Sequence, residues 1–244
     1  MVASVNTVYQ LVMRRAAKEE NGFISPQDFN VLARNAQQKE FQRILSEYRK
    51  FLANKQRYLT YWKGNYDSLE SIMDDLLPLR RNNVTLTSSG GNNIFQYPDD
   101  YAYYIDLEYD GKNVTIIDSQ DKAFYTNSFD SSPTASHPVA VRDYNSITLL
   151  PSSITADVGI TYYKIPQGTT TAGAPSTTQP TWAYTTVASK SIYDATNSID
   201  FELPKQLEYR LATQILQDVG IEIREAELFK MAQAEDVKEK QDKA

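Results

Sequence analysis

The apolar positions of the chain change their period twice. From Val5 onward, Val5, Val8, Tyr9, Val12 and Met13 recur at helical spacing, which predicts a helix over 5–18. Asn21-Gly22 closes it, because the glycine accepts the left-handed backbone of a helix C-cap. A second helix opens with a full set of start signals. Ser25 stands as N-cap, Pro26 as first helical residue, and Asp28 three residues after the cap, where its charge suits the helix N-terminus. Ile24 before the cap and Phe29 after it are placed to form a hydrophobic staple. The stripe then runs Phe29, Leu32, Ala33, Ala36, Phe41, Ile44, Leu45, Tyr48, Phe51, Leu52, Leu59. Arg34, Lys39, Arg43, Arg49, Lys50 and Arg57 fall mostly on other faces, as a solvated surface or as a face for an acidic neighbouring subunit. Leu69, Ile72, Met73, Leu76 and Leu77 predict a third helix, capped by Asp67 or Ser68 and stopped before Pro78.

Between about 84 and 200 the period shortens to two. After the turn cluster 88–93, Tyr101, Tyr103, Ile105, Leu107 and Tyr109 alternate with Ala102, Tyr104, Asp106 and Glu108, which predicts a half-buried strand. Asp110-Gly111 predicts a two-residue hairpin turn, with Val114, Ile116 and Ile117 returning in the partner strand. Further strands are predicted over 146–150 and 158–165, punctuated by Pro151 and Pro166, with Pro133 and Pro138 in a loop between hairpins. Residues 167–181 are mostly Thr, Gly, Pro, Ser and Ala. Such a segment holds too little apolar area to fold by itself, so it predicts a long contact loop with Trp182 and Tyr184 at its exit. From Pro204, read as the first helical residue, Leu207, Leu211, Ile215 and Val219 return to helical spacing, widened by Tyr209, Ala212 and Leu216. Gly220 ends that helix, another is predicted over 221–234, and a charged tail closes the chain.

Helices and strands therefore segregate, which predicts an α+β fold. Its parts are an N-terminal helical part over 1–83, a central antiparallel β-hairpin-rich insertion over 84–200, and C-terminal helices over 201–244. The two helical parts are expected to pack into one bundle.

Composition narrows the chemistry. The mean hydropathy is -0.51, and no apolar run is long enough for a membrane helix. The charged first twenty residues predict no signal peptide. With no cysteine, disulfides, thiolate nucleophiles and Cys-based zinc sites are excluded. The one histidine, His137, sits in a polar loop, so a Ser-His-Asp triad would have to centre on it. No phosphate-binding glycine loop, H-E-x-x-H motif or nucleophile elbow occurs. These absences predict a non-enzymatic chain, with no catalytic, cofactor-binding or metal-binding residue assigned.

Charge is uneven. Residues 1–82 hold 13 basic and 9 acidic residues, a net of +4, whereas 83–204 hold 5 and 13, a net of -8. An acidic middle repels nucleic acid. Three carboxylate groupings can be weighed there and nearby. Asp99-Asp100 beside aromatics could bind a cation or act as acid and base, but Asp after Pro more often starts a turn. Asp106 and Glu108, sharing a predicted strand face with Tyr104, could contact a sugar. Asp74-Asp75 reads as a solvated helix pair.

Three stretches carry a resemblance. Residues 22–30 (Gly-Phe-Ile-Ser-Pro-Gln-Asp-Phe-Asn), followed by Ala36-Gln37, are similar to the opening of structural proteins of crAss-like bacteriophages. Tyr97-Pro98-Asp99-Asp100-Tyr101 resembles a strand entry of podovirus-type head–tail adaptors. So does the succession of residues 160–166 (Ile-Thr-Tyr-Tyr-Lys-Ile-Pro) and 199–204 (Ile-Asp-Phe-Glu-Leu-Pro). In their order, these pieces resemble head–tail connector or adaptor proteins of tailed bacteriophages over about 22–220; the 167–181 loop and the charged tail depart from the pattern. The resemblance implies a virion protein assembled in the host bacterial cytoplasm. It implies a homo-oligomeric ring or collar, dodecameric in that family, binding the portal protein and other tail ring, hub or tail proteins. Double-stranded DNA would pass through its channel, no membrane would be involved, and residues 221–244 would dock on the portal. A carbohydrate- or receptor-contacting tail module, built on the acidic Tyr-rich strands, is the alternative.

Overall fold

The computed structural model describes residues 1–18, 24–58, 64–88, 92–128, 132–188 and 190–219. The predicted helix end at Asn21-Gly22, Leu59, Gly220 and everything predicted over 221–244 lie outside them. Among the described residues the chain has five α-helices and four β-sheets, a mixed α and β fold. It divides into two compact units. One is Leu79–Ile165; the other joins Met1–Pro78 to the described residues from Pro166 onward.

In the helical unit, α1 (Val5–Lys18) buries Val5, Val8, Val12 and Ala16, the face its periodicity predicts. Helix α2 (Pro26–Tyr58) starts where the capping residues place it. The Asp28 amide donates to Ser25 Oγ at 3.1 Å, and the Ser25 hydroxyl donates to the Asp28 carboxylate at 2.6 Å. Ile24 and Phe29, the staple pair, are both buried. Ser25→Ala should therefore cost about 1 kcal/mol of stability in a denaturation experiment; an unchanged midpoint would show that this cap does not hold the helix. Helix α3 (Gly64–Leu76) opens earlier than predicted, so Asp67 and Ser68 lie inside it and do not cap it. It ends at Leu76, and a 3-10 turn, Leu77–Leu79, carries the chain through Pro78.

The C-terminal helix also starts differently. Pro204 is extended (φ -64°, ψ 152°) and precedes a 3-10 turn, Lys205–Leu207, so α5 runs Glu208–Asp218. The reason is non-local. The segment before α1 pairs with residues 201–205: Ala3 N–H donates to Leu203 O, Phe201 N–H to Ala3 O, and Lys205 N–H to Met1 O. Pro204 is held in that ladder and cannot be the first helical residue. Helix α5 packs against α1 and α2, burying Leu211, Ala212, Ile215 and Leu216, while α3 packs against α2. Arg15 of α1 lies over the Tyr209 ring at 4.6 Å from its centre.

The central unit is made of two four-stranded sheets. The first sheet contains β1 (Arg80–Leu86), β3 (Tyr101–Tyr109), β4 (Lys112–Asn113) and β8 (Val158–Lys164), in the order β1-β8-β3-β4. The second contains β2 (Ile94–Gln96), β5 (Thr115–Asp118), β6 (Val139–Arg142) and β7 (Ser146–Leu150), in the order β2-β7-β6-β5. Leu107 and Ile160 of the first sheet share one core with Phe95, Ala140, Ile147 and Leu149 of the second. The Asp110-Gly111 turn forms, with φ of 49° and 71°. These are the left-handed values that a two-residue hairpin loop requires.

The returning strand differs from expectation. Its ladder covers Lys112–Asn113, with Val114 N–H also donating to Leu107 O at 2.8 Å; the chain then crosses to the second sheet, where β5 runs parallel to β6. The insertion is thus not wholly antiparallel. A parallel pair needs a crossover, and α4 (Lys122–Asn127) supplies it. Tyr125 of α4 covers Ile117, Val139, Val141 and Leu150, so β6 is buried on both faces.

Residues 168–201 form strands that belong to the helical unit, not to the central sheets. The predicted loop over 167–181 contains β9 (Gly168–Thr170) and β10 (Pro175–Ser176), and β13 (Ile199–Phe201) completes a β10-β9-β13 sheet. Gly168 is required there, because a Cβ would collide with the Ile199 side chain and the Thr178 carbonyl. Pairing with a strand some thirty residues later supplies what the segment lacks by itself. A separate two-stranded ribbon, β11 (Tyr184–Val187) and β12 (Lys190–Tyr193), projects between them in sequence.

Candidate functional site

Within the central unit, Asp100 and Asp106 are held by different partners. Asp99 and Asp100 form a turn, with Tyr101 N–H donating to Pro98 O at 3.0 Å. Asp100 accepts the Tyr162 hydroxyl at 2.7 Å, while Asp99 points to solvent. Burial, reinforced by this carboxylate, raises the Tyr162 phenol well above its ordinary value. The pair therefore serves the strand entry, as its turn chemistry suggests.

Two bulges alter the face of β3. Tyr101 pairs with Lys164 and Tyr103 with Tyr163; Tyr104 pairs with Tyr162 and Asp106 with Thr161. Tyr162 and Thr161 are adjacent on β8 and point to opposite faces. Tyr104 is thus opposite the buried Tyr162, whereas Asp106 and Glu108 are opposite Thr161 and Gly159. The alternation expected to set Tyr104, Asp106 and Glu108 on one face is interrupted between Tyr104 and Asp106, while Asp106 stays near enough to add to the effect of burial and Tyr103 in raising the Tyr104 phenol. Asp106 folds back to accept the Leu107 amide at 2.9 Å. On α3, Asp75 accepts from Gln206 and Asp74 is exposed. His137 closes a small turn with Thr134 and is exposed. Among the described residues no group of three or more His, Asp or Glu is placed to hold a metal ion.

The described residues also form an aromatic column that periodicity does not reveal. Tyr9 of α1 stacks on Trp182 at 3.9 Å between ring centres and meets Phe29 of α2 edge-on at 4.9 Å. On the ribbon side, Trp182 stacks with Tyr184 at 5.8 Å and with Tyr193 at 5.9 Å. The Trp182 amide donates to Asn30 Oδ1 at 2.7 Å, its carbonyl accepts from Asn30 Nδ2, and its indole N–H donates to Asn6. Burial raises the Tyr9 phenol, with Tyr184 adding to the effect. The column fixes the root of the β11–β12 ribbon to α1 and α2. A Trp after a Pro-rich stretch is the only sequence signal for it.

No protein-family model matches this chain, and no curated protein matches it.

Two basic residues of α2 find partners within the helical unit. Arg43 bridges Glu40 and Glu47, each at 2.6 Å, and Lys39 reaches Asp218 at 2.6 Å. At the start of α1, two carboxylates from distant sequence cap the helix. Ser4 N–H donates to Glu208 Oε1 at 2.9 Å and Val5 N–H to Asp200 Oδ1 at 2.7 Å. Burial raises the Asp200 carboxyl above the usual carboxylate range, Glu208 adds to this, and the Val5 bond opposes it. The folded state then holds that proton more tightly than the unfolded one. Stability from this group is greatest at low pH and falls as pH rises through the interval between the ordinary and the raised value. Asp200→Asn keeps an acceptor for Val5 and removes the charge. It should match or exceed the wild type in stability at about pH 7 and lose this decline, measured by denaturation from about pH 4 upward. A variant weaker at neutral pH would show that the charge on the helix N-terminus outweighs its burial.

Proposed function

We propose that the chain is a structural virion protein, one copy of a homo-oligomeric ring connecting the head or portal of a tailed bacteriophage to its tail around the DNA channel. One observation carries the reading. Both ends of the described chain, Met1–Pro78 and the residues from Pro166, belong to one unit, and Leu79–Ile165 forms another inserted between them. In this reading α1, α2, α3 and α5 form a bundle that makes the body of the ring, and the β unit meets neighbouring tail proteins. The motif order over about 22–220 supports the placement in a virion. The mildly basic first part of the chain, at +4 over 1–82, suits passage of a polyanion better than tight retention.

The test is a mass-spectrometric inventory of purified particles of the phage that encodes the chain, with cryo-electron microscopy of the head–tail junction. The chain is expected among the virion proteins and as a closed ring at that junction. Its absence from purified particles would overturn the proposal.

A further inference from the structure

We propose that the outer face of the β11–β12 ribbon of one copy docks on the outer stripe of α3 in the next copy, an inference that rests on the ring reading.

The ribbon has two unlike faces. Its register pairs Tyr184 with Tyr193, Thr185 with Ile192, Thr186 with Ser191 and Val187 with Lys190. Directly paired residues share a face and successive pairs alternate. Tyr184 and Tyr193, stacked on Trp182, hold one face. The other presents Ile192, Val187 and Lys190, with Val187 56% and Ile192 49% exposed. These two apolar residues are diagonal neighbours, flanked by a cation. Two four-residue strands are marginal in water by themselves. Here the root is fixed by the aromatic column, so the outer face is presented in a set orientation and loses little freedom on docking.

A matching surface exists on the same unit. Helix α3 buries Ile72 and Leu76 and turns Glu70, Met73 and Asp74 outward at i, i+3 and i+4 spacing, and the exposed Leu77 follows at the start of the 3-10 turn. Met73 is 37% and Leu77 59% exposed, and both carboxylates are exposed. The stripe thus offers two apolar residues beside two anions, and the ribbon offers two apolar residues beside a cation. Charge and apolar character are complementary between the two surfaces, and neither is complementary to itself. Contact between different surfaces of identical copies is head-to-tail, the kind that closes into a ring. About four residues on each side fall well short of the roughly 800 Å² per partner of a stable two-body interface. Such a contact suits a ring, where every copy both gives and receives one.

The test is the concentration dependence of self-association of the full chain, followed by sedimentation velocity. Lys190→Glu, and separately Glu70→Lys with Asp74→Lys, should each raise the concentration needed for association roughly tenfold. The variant carrying all three changes restores opposite charges and should recover to within about threefold of the wild type. All three positions are exposed, and circular dichroism with thermal melting confirms that each variant folds. Association unchanged by either one-sided variant, or not recovered in the combined one, would overturn the inference. A wild-type chain monomeric at every concentration would overturn it too. The ring reading is decided separately by the particle inventory, so the two can fail independently.

Discussion

Trp182→Ala is expected to lower the stability of the helical unit by about 3–5 kcal/mol. The side chain is 3% exposed and lies at the meeting point of three elements. Removing it takes away the stack on Tyr9 at 3.9 Å and the two stacks with Tyr184 and Tyr193. Each such aromatic pair contributes about 0.5–1.5 kcal/mol beyond burial alone. It also removes the indole donor to Asn6. The backbone bonds to Asn30 survive the substitution, so the chain path is kept and a cavity remains. Trp182→Phe retains a ring between Tyr9 and the ribbon and should cost less than half as much. Urea denaturation measures both. Circular dichroism follows the wild type and both variants, since either substitution leaves Trp62 as the sole tryptophan. A loss below about 1 kcal/mol for Trp182→Ala would mean that the column does not bear on the fold.

The same column explains which parts of the architecture could be read in advance. Where a signal is local, the residues state it. Ser25, Pro26 and Asp28 place the start of α2 because cap and first turn are neighbours in sequence. Asp110-Gly111 places a hairpin turn because the left-handed backbone is demanded by the turn itself. The strands over 146–150 and 101–109 follow from side-chain alternation. Where the decisive partner is far away, the local pattern misleads. Residues 168–176 are poor in apolar side chains, yet Gly168–Thr170 and Pro175–Ser176 form strands because β9 pairs with both β10 and the distant β13. Pro204 is extended because Val2 and its neighbours pair with it, an event two hundred residues away in sequence.

The candidate surfaces divide along the same line. The Tyr104, Asp106 and Glu108 face depends on unbroken alternation, and the bulges in β3 break it. A bulge is set by the partner strand β8, which the residues of β3 do not encode. The exposed stripe of α3, by contrast, follows from helical spacing once its inner face, Ile72 and Leu76, is known. Trp182 has no periodic context at all. Only contacts with α1 and α2 show that it is the anchor of the ribbon and not a loop-exit residue.

The second large effect belongs to Gln37. It is 1% exposed on α2 and completes a closed polar circuit with Gln167 and Glu202. Its Nε2 donates to Gln167 O at 2.6 Å, its Oε1 accepts Glu202 N–H at 3.0 Å, and Gln167 N–H donates to Glu202 Oε2 at 2.9 Å. The circuit ties the entry of β9 and the exit of β13 to α2, where a segment poor in apolar groups needs it most. Gln37→Ala removes a donor and an acceptor at once. It leaves the Gln167 carbonyl and the Glu202 amide without these bonds, at about 1–3 kcal/mol each. A total loss of about 2–5 kcal/mol is expected in urea denaturation. Gln37→Glu separates the two bonds. A carboxylate still accepts from Glu202 N–H, but it cannot donate to Gln167 O, and its charge is set in a buried site close to Glu202. At neutral pH this variant should be destabilised as much as Gln37→Ala or more. It should regain stability on acidification, when the introduced carboxyl group takes up a proton and can donate again. The sign follows from linkage: the folded state binds that proton more tightly than the unfolded chain, so stability rises as pH falls. Equal stability of Gln37→Glu and the wild type at neutral pH would show that the circuit does not hold the β9–β13 pairing on α2.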